Sequence, residues 1–120
     1  MNILLIGAGG ALGAIARYGL TQAVTKYLSV SDYIGTLSVN IIGCFIIGII
    51  IGIYTDIKIE TQLFFIIGFL GSFTTMSAFS IQTVEMFNNQ NFGEAILYIF
   101  MTILFTILAT YIGLSLGSLK

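Results

Sequence analysis

YIGTLSVNIIGCFIIGIIIGIY, residues 33–54, runs without a charged side chain. It is as long as the ~20 residues an α-helix needs to cross ~30 Å of hydrocarbon. Three further apolar runs, 3–24, 63–87 and 92–116, fill most of the rest of the chain. Four such runs in 120 residues make an all-α membrane protein of four transmembrane helices, organised as one domain over 1–120 with no room for a second. Composition agrees: hydrophobic residues are 58% and charged residues 8%, against about a quarter charged in a soluble domain. The first run is too long for a removable signal peptide, lacks a basic leader and holds Arg17.

The same composition excludes whole classes of chemistry. There is no histidine and no acidic cluster, so no metal-hydrolase or histidine acid/base site is expected, and the chain is read as not an enzyme. A net charge of −1 argues against nucleic acid. Cys44 stands alone, without a disulfide partner, and reads as a small packing residue. With no tryptophan, Tyr18, Tyr27, Tyr33, Tyr54 and Tyr111 are left as interfacial anchors. The N-terminal stretch NILLIGAGGALGAIARY mimics a dinucleotide-binding turn, with Asp32 downstream. Membrane-length runs follow it instead of a soluble βαβ unit. Its glycines (Gly7, Gly9, Gly10, Gly13), like Gly43, Gly48 and Gly52 in the second run, are read as notches for close helix packing.

Loops are short: Thr25–Asp32, Thr55–Gln62 and Asn88–Gln90. Lys58 and Lys120 fall on one side of the membrane, Lys26 and Arg17 on the other. Basic residues in short loops set orientation, and here they balance. Either so few charges carry no message, or both orientations insert and the working unit is an antiparallel dual-topology dimer.

Polar residues at membrane depth are functional suspects by default. Asn40 lies ~10 Å into its span at 1.5 Å per residue, with Thr36 one turn earlier on the same face. It fits either an interhelical hydrogen bond or the lining of a path. In the third run, GFLGSFTTMSAFS (68–80) crowds glycine, serine and threonine at the centre of the bilayer. These are middling to poor helix formers, and a helix broken near its middle is expected there. Such a break leaves carbonyl oxygens for a hard cation and free N–H groups for an anion. Tyr98, Thr102, Thr106 and Thr110 repeat every four residues and put a stripe of hydroxyls along ~18 Å of the fourth helix. The stripe is either interhelical packing or a ladder of donors. No carboxylate lies deep in a span, which disfavours a proton-coupled exporter of the small dual-topology kind. A purely structural membrane subunit would not need the stripe.

At these residues the chain resembles the CrcB/Fluc family of bacterial fluoride channels. GALGAIARY (10–18) is similar to its GxxGAxxRY, GTLSVNIIG (35–43) to GTLxVNxxG, and 68–80 to GFxGGxTTFSTFS, so that the match covers essentially the whole chain. The resemblance implies a fluoride-selective channel in the bacterial cytoplasmic membrane. F⁻ would leave the cell passively through an antiparallel homodimer or a pairing with a paralogous subunit. It implies a structural Na⁺ on backbone carbonyls of Gly71 and Thr74. Its fluoride path would take Asn40, Met76, Ser77, Phe79, Tyr98, Thr102, Thr106 and Thr110, and Arg17 would stand in a vestibule. Three positions depart from the pattern: Met76 replaces a phenylalanine, Ser72 a glycine, and Gln82 a glutamate that commonly follows the motif.

Overall fold

The computed structural model describes residues 1–119; Lys120, one of the four basic residues used above to weigh orientation, lies outside the described residues. Among the described residues, four helices are long and apolar enough to span a membrane: Asn2–Leu28, Asp32–Ile53, Ile59–Asn88 and Phe92–Gly117. Two of the expected loops are shorter than the hydropathy suggested. The first helix continues through Lys26 to Leu28, because the Thr25 hydroxyl donates to the Thr21 carbonyl at 3.0 Å and so turns its polar group inward. It stops at Ser29, whose φ of 52° places it in the left-handed region. The third span starts at Ile59 instead of residue 63, with Glu60 in its first turn, where a carboxylate suits the positive end of the helix dipole. The last two spans are joined at Asn89–Asn91. There Gln90 takes φ 60° and the Asn91 N–H reaches back to the Met86 carbonyl at 2.8 Å.

Glycine decides how the spans pack. A Cβ added at Gly48 would land on the Thr110 carbonyl, one at Gly52 on the Leu114 carbonyl, and one at Gly113 on the Phe45 carbonyl. The second and fourth spans therefore meet backbone to backbone along Gly48, Gly52, Gly113 and Gly117. In a bilayer, where apolar side chains gain nothing by leaving lipid, such close approach supplies the packing energy. The first span docks on the third in the same way, with Gly9 against the Phe64 carbonyl and Gly13 against the Phe69 carbonyl. Large apolar side chains elsewhere point outward: Ile3, Ile15, Ile67, Ile81, Ile96, Phe100 and Ile107 are all exposed.

The third span is broken. A π-helix over Gln62–Leu70 leads into a last turn, Gly71–Phe73, and the helix restarts at Met76 and runs to Asn88. Between them Thr74 (φ −78°, ψ 154°) and Thr75 (φ −145°, ψ 118°) are extended. No proline causes this. The Thr74 hydroxyl donates back to the Leu70 carbonyl at 3.0 Å and closes the first half. The Thr75 Oγ1 accepts from the Ala78 N–H at 3.2 Å and caps the second.

Gly48→Val should cost about 1–3 kcal/mol by overpacking the contact between the second and fourth spans. Gly7, which has nothing within 4 Å of its would-be Cβ, should accept alanine without loss. Thermal unfolding in detergent compares the two variants.

Candidate functional site

The break creates a problem that Asn40 solves. Unwound backbone in hydrocarbon leaves N–H and C=O groups without partners, at a cost of several kcal/mol each. Asn40 projects from the second span with only 7% of its surface exposed. Its Oδ1 accepts the Thr75 N–H at 2.7 Å, and its Nδ2 donates to the Thr75 carbonyl at 3.0 Å. One side chain thus satisfies both backbone groups of the residue at the break. One amide hydrogen is left over.

Beside this bracket lies a cavity of about 220 Å³ lined by Asn40, Cys44, Thr74, Thr75, Met76, Phe79, Thr102 and Thr106. Among the described residues, no charged one is in the lining. Three spans contribute: the second brings Asn40 and Cys44, the third the break and Phe79, and the fourth two of the striped threonines. The Phe79 ring meets Tyr98 edge to face, with centroids 5.1 Å apart. Met76 is 73% exposed, so the cavity opens sideways at its own side chain. Ser77 stands exposed and shares a 3.2 Å hydrogen bond with the Thr75 hydroxyl.

The stripe on the fourth span divides into three environments. The Thr106 hydroxyl donates to the Thr102 carbonyl at 2.6 Å, and Thr110 donates to the Thr106 carbonyl at 3.1 Å. Both satisfy themselves on their own helix, and Thr110 lies outside the cavity. The Tyr98 hydroxyl donates to Gln82 Oε1 at 2.8 Å. Thr102 differs from all three. It is 7% exposed, and its hydroxyl is buried with no hydrogen-bond partner among the described residues. A buried unpaired polar atom is uncommon and calls for an explanation, an unseen ion among them.

Gln82 is a site residue that the sequence reading treated only as a departure. Its Nε2 donates to Thr36 Oγ1 at 2.9 Å while its Oε1 accepts from Tyr98, so one amide ties the second, third and fourth spans together. The signal was present: a side-chain amide within a span, three residues after Phe79. Gln82 also lines a second cavity, of about 210 Å³, which carries Asp32, Glu85 and Glu94 at the span ends. Tyr33 donates to Glu94 there at 2.9 Å.

On the other side of Cys44 and Thr74 is a cleft of about 240 Å³, lined also by Gly43, Ile47, Ile66, Leu70 and Gly71. Among the described residues, nothing donates a hydrogen bond to the carbonyls of Gly71 or Thr74. Two open carbonyls on residues of one cleft suit a hard monovalent cation in their donor chemistry. Between them in sequence, the Ser72 carbonyl accepts from Arg17 Nε at 3.1 Å. A larger apolar groove, about 420 Å³, follows one face of the fourth span from Ile96 to Leu108 and offers almost no polar atom.

Replacing Asn40 by leucine should leave the Thr75 N–H and C=O unpaired, at the several kcal/mol that each such group costs in hydrocarbon. A large drop in the unfolding midpoint in detergent is the expected result.

Residues 4–114 match the family model described as CrcB-like protein, Camphor Resistance (CrcB). A protein of Dehalococcoides mccartyi named fluoride-specific ion channel FluC is 42% identical, over 98% of this chain and 93% of its own length. The FluC of Magnetococcus marinus is 37% identical over 99% of both chains. A Bacillus cereus protein named fluoride-specific ion channel FluC 2 is 35% identical, again over 99% of each. The matches span all four helices and the break, and the chain belongs to the CrcB family.

Proposed function

We propose that the chain forms a fluoride-specific channel that lets F⁻ leave the cytoplasm passively and so protects the cell. The observation that carries this reading is the Thr102 hydroxyl. It is buried and, among the described residues, unpartnered, on a residue that lines a cavity with no charged side chain in its wall. Fluoride is small and strongly hydrated, so a path through oil must supply donors in place of water. The Thr102 hydroxyl, the spare amide hydrogen of Asn40 and the positive ring edge of Phe79 are such donors. A fixed cation would hold the ion too firmly for conduction, which needs entry and exit to be comparably easy. The Thr106 side chain, whose hydroxyl donates to the Thr102 carbonyl, and the Met76 thioether complete the wall. Tyr98, locked by Gln82, sets the Phe79 ring. In this reading the path also takes Ser77 and Thr110, which lie outside the cavity lining. The names of the relatives at 35–42% identity support the same ion.

The working unit in this reading is two copies inserted in opposite directions, in the bacterial cytoplasmic membrane. Two observations support it. Basic residues near the span ends are balanced between the two sides, and the break opens sideways at exposed Gly71 and Met76. Lipid cannot satisfy backbone at that depth, whereas a second protein surface can. The partner is an identical copy or a paralogue supplying a phenylalanine at the Met76 position. In the first case a structural Na⁺ between the copies would be held by the Gly71 and Thr74 carbonyls. Such an ion would neutralise the open carbonyl end of the half-helix.

Liposomes loaded with F⁻ or Cl⁻ test the reading. The protein should release F⁻ without a proton gradient and retain Cl⁻. Release that requires a gradient would mean an exporter, and no release would mean a structural subunit. Thr102→Val should slow F⁻ release roughly tenfold, the equivalent of one hydrogen bond to an ion. The same variant should leave thermal stability unchanged or raised, since its hydroxyl has no partner to lose. Asn40→Asp should abolish release by placing a carboxylate beside the path. Phe79→Ile, which keeps bulk but removes the ring edge, should reduce it sharply.

A further inference from the structure

Gly9, Gly13 and Arg17 follow one another at intervals of four on one face of the first span. The two glycines face backbone carbonyls of the third span: Gly9 the Phe64 oxygen and Gly13 the Phe69 oxygen. No other residue type fits at that separation. One turn further on, the same close approach brings the Arg17 Nε within 3.1 Å of the Ser72 carbonyl. That carbonyl lies in the last turn before the break, at the negative end of the first half-helix. Among the described residues, nothing donates a hydrogen bond to the neighbouring carbonyls of Gly71 and Thr74.

We propose that Arg17 is a positioning residue whose contribution comes from its Nε–H donor, latching the carbonyl end of the broken helix. Its charge in a vestibule is not what the site needs from it. The latch and the Asn40 bracket are complementary. Arg17 holds the outgoing end of the first half at Ser72, and Asn40 holds the entry to the second half at Thr75. Together they fix where the Gly71 and Thr74 carbonyls lie.

Side-chain topology separates donor from charge. Glutamine places an amide nitrogen the same number of bonds from Cα as the arginine Nε, and carries no charge. Lysine keeps the charge but has a methylene at that position, with its nitrogen one bond further out. Methionine matches the length and has neither. Arg17→Gln, Arg17→Lys and Arg17→Met are compared in two measurements on the full chain. One is amide hydrogen exchange of the peptide covering Leu70–Ser80 in detergent, and the other is F⁻ release from liposomes. The latch predicts that glutamine stays within about threefold of the parent protein in both. Methionine and lysine should exchange at least tenfold faster at the break and release F⁻ at least tenfold more slowly. The glutamine–lysine order decides the matter even if the methionine variant does not fold. Lysine equal to or better than glutamine would overturn the proposal in favour of charge. A methionine variant with parental exchange would overturn it as well. The release arm rests on the channel reading. If the parent protein itself releases no F⁻, that reading fails, and the exchange order still tests the latch.

Discussion

The hydrogen-bond pair between the Asn40 side chain and the Thr75 backbone is the constraint on which the rest of the structure depends. A transmembrane helix is stable because every backbone group is paired within it. Interrupting one at its middle frees polar groups where there is no water to take them. At Thr75 both are taken by a single amide from a neighbouring helix, at 2.7 and 3.0 Å. That amide can reach only because the second span lies against the third, with Gly43 facing the Thr74 and Phe73 side chains. The bracket therefore turns a defect into a fixed architectural element. The uncharged cavity exists beside it because the restarted helix carries Phe79 past the fourth span.

Much of this was legible in the sequence, and for clear physical reasons. The four spans follow from hydropathy and length, and the break from a cluster of glycine, serine and threonine at mid-membrane. Asn40 stood out because an amide at that depth needs a partner. What the sequence left open was which partner. Interhelical glue and path lining looked like alternatives; the geometry shows the first, with Asn40 bracketing the break, and sets the same residue on a cavity that we propose as the path. The threonine stripe illustrates a second limit. Spacing by four puts four hydroxyls on one face, but it cannot say which of them bond to their own helix. Thr106 and Thr110 do, Tyr98 is taken by Gln82, and Thr102 is left unpaired.

Other elements were hidden for reasons of the same kind. Gly113 and Gly117 were not singled out, yet they meet Gly48 and Gly52 across the main interhelical contact. A small residue on one helix acquires meaning only when its opposite number is known. The π-helix over Gln62–Leu70 has no compositional signature of its own. Gln82 was read as a departure from a motif, whereas its two hydrogen bonds join three spans. Loop lengths were overestimated because polar residues such as Thr25 remain helical when they can turn a hydroxyl onto the preceding turn.

The central claim is that the third helix is held open by a side chain from the second. NMR of isotope-labelled protein in lipid tests it most directly, by measuring scalar coupling across the hydrogen bonds at Thr75. The account predicts coupling between the Asn40 side-chain nitrogen and the Thr75 carbonyl carbon, with no bond from the Thr75 amide to the Gly71 carbonyl. Coupling from the Thr75 amide to Gly71, with the Asn40 amide free, would mean an unbroken helix and would contradict it.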